Sequence, residues 1–450
     1  MTAKNYHMKI NFYLLGSTLV AALAGFLFGF DTVVISGTTE MLEKRFGLGD
    51  VALGFTVSSA LFGTIIGSLI AGKPSEWYGR KPILMCLAVL YFVSALGCGL
   101  AWDWASLLIF RLIGGLAIGG ASVVAPLYIA EISPPHARGR LVAMSQFNIV
   151  VGLLVAYISN FLIDRYTGSD PECWRWMLGI VAVPSVLFFL FLLPIPESPR
   201  WLVEKHRRDE ALTVLQKLGN ADAAAVLQEI VESLHEKTVA ISESFFRRKY
   251  LLPILLAFMV ASFNQLSGIN TVNYYGPKIL KAVGAGQTSA LAGSVIIGVT
   301  NLVFTILGMT LIDRFGRRRL LLVGTCGMVV CQGVAAFAFH MNNQMLVLAS
   351  LMGFMAFFAS SSGVVIWVFI SEIFPNRVRA RGQALGSLTH WAWCTLIQFG
   401  YPVVTARVSS SAPFIFFSVM MLLQLVLVLR YMPETKGVSL EEMQRHLGIE

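Results

Sequence analysis
The sequence predicts an all-α integral membrane protein with twelve transmembrane helices in two six-helix bundles and a short cytoplasmic helical linker domain. Three observations predict it. The 450 residues are 56% hydrophobic and only 13% charged, with a mean hydropathy of +0.71, whereas about a quarter of an ordinary soluble domain is charged. The apolar residues arrive in blocks, each near the roughly 20 residues that cross a hydrocarbon core. Short charged motifs recur at one fixed spacing, so the chain reads as a unit used twice.

The blocks lie at 12–36, 51–72, 82–101, 106–130, 140–163, 175–194, 251–275, 288–311, 319–340, 345–371, 383–405 and 412–431. The first is too long for a cleavable signal peptide and continues through Gly29 and Asp31, so it is expected to be a mature helix. The long polar stretch 197–249 alternates charged residues with Ala and Leu, as in 208–218, a spacing suited to short amphipathic helices. The predicted organisation is an N-terminal six-helix bundle (1–196), a cytoplasmic linker domain (197–250), a C-terminal six-helix bundle (251–432) and a cytoplasmic tail (433–450).

Charge sets the orientation. With both termini inside, 26 of the 34 Lys and Arg fall in inner segments and 7 in outer loops, while Arg111 lies within a helix. That asymmetry predicts cytoplasmic termini in a cell membrane, plasma or inner. The net charge of +9 is spread over alternate loops rather than gathered on one face, which argues against nucleic acid as a partner and for the lipid bilayer. The six cysteines have no metal-ligand spacing, and five of them (Cys86, Cys98, Cys326, Cys331, Cys394) sit inside apolar blocks as packing residues, with Cys173 near a loop. No Gly-rich nucleotide loop and no catalytic constellation stands out, so neither an enzyme, a cofactor nor a metal site is expected.

The repeat is visible in particular residues. Gly79-Arg80-Lys81 returns as Gly316-Arg317-Arg318, and Pro196-Glu197-Ser198 as Pro433-Glu434-Thr435, both 237 residues on. Glu131 and Glu372 are each followed by Ile, then Pro, and by an Arg seven residues later, Arg138 and Arg379. Parallel six-helix repeats with substrate held near the bilayer midplane are a transporter architecture.

Together with Asp313-Arg314-Phe315-Gly316-Arg317-Arg318, Pro196-Glu197-Ser198-Pro199-Arg200, Pro433-Glu434-Thr435-Lys436-Gly437 and Gln265-Leu266-Ser267-Gly268-Ile269-Asn270, the sequence resembles the sugar porter family of the major facilitator superfamily over nearly its whole length. The resemblance implies a monosaccharide substrate, a hexose or pentose, moved by alternating access in a protein that works as a monomer. It matches Gln146, Gln265, Asn270 and Asn301 to positions lining the sugar site, and amides suit hydroxyls because they donate and accept without fixed charge. Trp367 and Trp391 fit aromatic platforms for a sugar ring, with Phe28 as a further wall and Tyr274 and Tyr275 as an outer gate. Glu131, Asp313 and Glu372, among Arg80, Arg138, Arg317 and Arg379, correspond to charge pairs that latch the cytoplasmic side.

Departures from the family pattern bear on detail. Asn264 stands where a second Gln is common, His390 where an Asn or Gln is usual, and Val364 and Ile366 replace prolines. Glu76 and Trp77 replace an Asp or Asn and an Arg, which implies a weaker first latch. Asp31 and Arg111, both inside apolar runs, match the proton-coupling pair of symporters, so the expected function is proton-coupled monosaccharide symport. A facilitative uniporter carrying Asp31 unused, and a transporter-like sugar receptor, are the alternatives.

Overall fold
A computed structural model of the protein describes residues 11–135, 137–168, 170–220, 222–239, 245–375, 377–438 and 440–449. The expected cytoplasmic N-terminus at 1–10, residues 240–244 of the expected linker and residues 439 and 450 of the expected tail lie outside the described residues. Every regular element among the described residues is helical.

Twelve helices take the places of the twelve blocks. They are α1 (Phe12–Val34), α2 (Asp50–Ile70), α3 (Arg80–Gly99), α4 (Trp104–Ile132), α5 (Arg138–Thr167), α6 (Cys173–Leu192), α7 (Arg248–Lys281), α8 (Gln287–Phe315), α9 (Arg317–His340), α10 (Gln344–Ile373), α11 (Arg379–Arg407) and α12 (Ala412–Tyr431). All but α11 are long and apolar enough to cross a membrane. In α11 the side chains of Gln383, His390 and Gln398 interrupt the apolar residues, and Arg379, Arg381 and Arg407 occupy its ends.

The chain forms two compact units, and the boundaries at 31/32, 61/62, 152/153 and 177/178 fall inside helices. The first comprises 1–31, 62–152 and 178–242. Its helices approach through small residues. A Cβ on Gly63 or Gly67 of α2 would come within 2.3 Å of a backbone oxygen of α4, and one on Gly119 of α4 would meet the Thr64 carbonyl at 2.1 Å. Without a hydrophobic drive between helices in lipid, such backbone approach supplies the packing. The charged stretch after α6 forms helices Pro199–Glu204, Arg208–Lys217 and Ala223–Val239. Ser198 caps the first of these by accepting from the Trp201 N–H. Trp201, Leu202, Val203 and Ala211 form a small core of their own with Leu227, Ile230 and Val231. The Trp201 indole N–H also donates to the Glu76 carbonyl at 2.9 Å.

The second unit comprises 32–61, 153–177 and 243–450. Two of its spans are broken. Helix α7 stops at Leu266 and restarts at Ile269, with Gly268 between them at φ +81°, a conformation that costs a residue with a Cβ about 1–2 kcal/mol. A Cβ there would also meet the Phe417 ring at 2.4 Å. The Ser267 carbonyl exposed by the break is taken by the Gln332 amide at 2.9 Å. Helix α10 is interrupted at Ser361, between segments Gln344–Ser360 and Ser362–Ile373. The short helix Thr39–Phe46 after α1 is tied to the end of α7 by ion pairs, Glu43 with Lys278 at 2.8 Å and Glu40 with Lys281.

Candidate functional site
The break in α7 turns its polar residues toward α11. Gln265, 1% exposed, donates to Asn264 Oδ1 at 3.2 Å and lies 3.0–3.1 Å from the ring nitrogens of His390. The Asn270 amide donates to Gln265 Oε1 at 3.0 Å and to Cys394 Sγ at 3.2 Å, and the Asn273 amide donates to Asn270 Oδ1 at 3.3 Å. Around this chain of amides stand indoles. The His390 ring is 5.3 Å from that of Trp367 and 5.0 Å from that of Trp391, edge-on to the latter. Tyr275 donates to the Gln398 carbonyl at 2.8 Å, and its ring lies 4.6 Å from that of Tyr401, tilted by 30°. The neighbouring Tyr274 is buried.

The structure thus brings Asn264, Gln265, Asn270, Trp367, His390 and Trp391 into one set. It presents amides, an imidazole and ring faces, with no fixed charge, as recognition of neutral hydroxyls requires. Asn301 of α8 lies outside the set and accepts instead from Thr305, one turn along its own helix, at 3.3 Å. Phe28 and Gln146 belong to the first unit, half-buried and exposed respectively. Sequence reasoning missed Cys394 and Tyr401. Cys394 falls three residues after Trp391, hence on the same helical face, which was the available signal.

In the first unit, Asp31 and Arg111 are buried together, with Nη1 3.1 Å from Oδ2 and 3.3 Å from Oδ1. Gly114 keeps room there, since a Cβ would meet Ser94 Oγ at 2.4 Å and come within 4.0 Å of Asp31 Oδ1. One guanidinium nitrogen serves both carboxylate oxygens. That arrangement lacks the two parallel bonds of a bidentate Arg–carboxylate pair.

The contrast is with Arg80 and Glu131, which form such a fork, Nε and Nη2 each 2.8 Å from a carboxylate oxygen, with side chains 6% and 7% exposed. The second copy joins Arg317 to Glu372 through Nη2 at 2.9 Å, with Thr435 donating to the other oxygen at 2.6 Å. Asp313, 80% exposed and 3.4 Å from Arg317, adds little, as exposed pairs do. The first ion pair is therefore the better-formed one, contrary to the expectation from Glu76 and Trp77, because neither side chain takes part in the fork. Arg138 is exposed and donates to the Ala130 carbonyl rather than pairing with Glu131. The Nε of Arg379 has no partner among the described residues.

Beside each of these ion pairs lies a glutamate whose role the sequence reading did not assign, although the repeated motifs marked it. Glu197 receives the backbone N–H groups of Arg80 and Lys81 at 3.0 and 3.2 Å, and Glu434 those of Arg317 and Arg318 at 2.9 and 3.1 Å. Each carboxylate thus satisfies the open N-terminus of α3 or α9, where negative charge is favoured. Gly79 (φ +105°) and Gly316 (φ +85°) make the approach possible, since a Cβ would lie 2.3 Å from Glu197 Oε2 or 2.6 Å from Glu434 Oε2. Burial raises the pKa of Glu197 despite its N–H donors. Burial acts the same way on Glu434, but the N–H groups of Lys436, Arg317, Arg318 and Thr435 outweigh it and hold the pKa below the usual value. With ψ near 166°, Gly316 occupies a region open essentially to glycine alone, so Gly316→Ala should cost about 1–3 kcal/mol. A thermal melt of the purified variant should show the loss, and an unchanged midpoint would contradict it.

Comparison with known proteins places these features. Residues 17–447 match the family model described as "Sugar (and other) transporter". The chain is 35% identical over 431 residues to the arabinose-proton symporter of Bacillus subtilis (strain 168), covering 94% of this chain and 93% of that protein. It is 36% identical over 472 residues to the D-xylose-proton symporter of Escherichia coli (strain K12), covering 96% and 95%. The partially occluded inward open structure of the xylose transporter XylE from E. coli superposes with a TM-score of 0.85 at 34% identity, over 95% of this chain and 100% of that one. Motifs, fold and family model agree, and the chain belongs to the sugar transporter family, the sugar porters of the major facilitator superfamily.

Proposed function
We propose that this protein imports a monosaccharide, a hexose or pentose, together with a proton, by alternating access and without covalent chemistry. The carrying observation is the coexistence, inside its spans, of an uncharged amide and indole set with the buried Asp31–Arg111 pair. Asn264, Gln265, Asn270, Trp367, His390 and Trp391 bind the sugar, joined by Phe28, Gln146 and Asn301. Hydroxyls exchange partners with the amides, and the ring packs on the indoles. Asp31 and Arg111 are the proton-coupling pair, and the movement that carries the sugar changes their separation. The Arg80–Glu131 and Arg317–Glu372 pairs open and close at the cytoplasmic ends, and Tyr274 and Tyr275 gate the outer end. The protein acts as a monomer in the cell membrane. The termini and 197–249 lie on the cytoplasmic side, as the basic-residue asymmetry supports, and a reporter fused at residue 220 reads that side directly.

The test is uptake into proteoliposomes over a panel of aldopentoses and aldohexoses, with and without an imposed pH gradient. Accumulation above the external concentration only with the gradient supports symport. Equal final concentrations under both conditions would make the protein a uniporter, and binding without uptake would make it a receptor.

A further inference from the structure
Helix α7 meets α11 in three successive rungs, Gln265 with His390, Asn270 with Cys394 and Tyr275 with Gln398, at sequence separations of 125, 124 and 123. At the first two rungs side chain meets side chain. At the third the tyrosine bonds only the main-chain carbonyl of Gln398, so the side-chain amide is not used. Gln398 is 0% exposed, and both its Nε2 and its Oε1 are without a partner among the described residues. It lies seven residues after Trp391 and four after Cys394, and so shares the face of α11 that carries the amide set.

A buried amide with neither its donor nor its acceptor engaged is an uncommon and unfavourable arrangement. Its complement is a group that donates to one atom and accepts from the other, which a hydroxyl does. The adjoining rings of Tyr275 and Tyr401 stand at the same end of the rungs. We propose that Gln398 is a further sugar-contacting residue, forming the outermost step of the site and engaging a sugar hydroxyl when the Tyr275–Tyr401 pair parts. The proposal rests on the sugar-transport reading above, and its ligand class is a neutral polyol such as a monosaccharide.

Gln424 of α12 supplies the control, because its amide is as deeply buried and as unpartnered but lies off the rungs. The experiment compares wild type, Gln398→Leu, Gln398→Asn and Gln424→Leu, each purified whole. D-xylose, L-arabinose and D-glucose are titrated calorimetrically, and thermal melting is recorded in parallel. The expected result is at least fivefold weaker sugar binding by Gln398→Leu at an unchanged or raised melting midpoint. Gln398→Asn should recover part of the affinity, and Gln424→Leu should keep it all. Loss of affinity together with a lowered midpoint would make the amide a structural group, and unchanged affinity would make it a buried group idle in binding; either overturns the proposal. Wild type binding none of the sugars would instead remove the sugar reading, and this proposal with it.

Discussion
Asp31→Asn should abolish accumulation of sugar against its gradient while leaving exchange between equal concentrations largely intact. The amide keeps the shape of the carboxylate beside Arg111, 1% exposed, but takes up no proton, so the loaded carrier still turns over while coupling is lost. Moving one charge through 100 mV is worth about 2.3 kcal/mol, roughly a 50-fold concentration ratio that wild type holds and the variant does not. Retained exchange also shows that the variant has folded, which matters because removing one partner of a buried pair costs about 3–5 kcal/mol. Equal accumulation by both proteins would reduce Asp31 and Arg111 to a structural pair.

Gln265→Ala should weaken sugar binding roughly 5- to 150-fold. Its side chain touches Asn264, Asn270 and His390 at once, so truncation removes a sugar partner and also leaves three polar neighbours to reorganise. A buried hydrogen-bonding group left without its partner costs about 1–3 kcal/mol, which converts to that range of dissociation constant. Equilibrium binding on protein shown to be folded measures it. Affinity within twofold of wild type would remove Gln265 from the site.

Much of this was legible in the sequence because lipid imposes strict rules. The blocks follow from the length needed to cross a hydrocarbon core, and the repeat follows from charged motifs that recur at 237 residues. The bond from Asn270 to Gln265 was not legible in this way, because it depends on the break that Gly268 makes between them. Less visible was anything set by main-chain geometry or by contact across distant segments. Glu197 and Glu434 read as motif letters, yet they act on backbone N–H groups, which carry no sequence signature of their own. Cys394 read as packing, because a thiol facing an amide cannot be told from one facing lipid by composition. The better-formed first ion pair went unforeseen, since substitutions at Glu76 and Trp77 say nothing about whether those side chains point into the fork.

The two glutamate caps have a consequence for how the chain closes on itself. Glu197 meets the start of α3 across 117 residues, and Glu434 meets the start of α9 across the same 117. Each contact draws a ring of equal length, and the entropy of drawing such a ring depends only weakly on its length. Closure therefore asks the same of the chain in both places. Neither ring contains the charged segment 200–250, so changes in its length leave both rings the same size. A gene segment encoding one such ring carries its own fastening when it is copied.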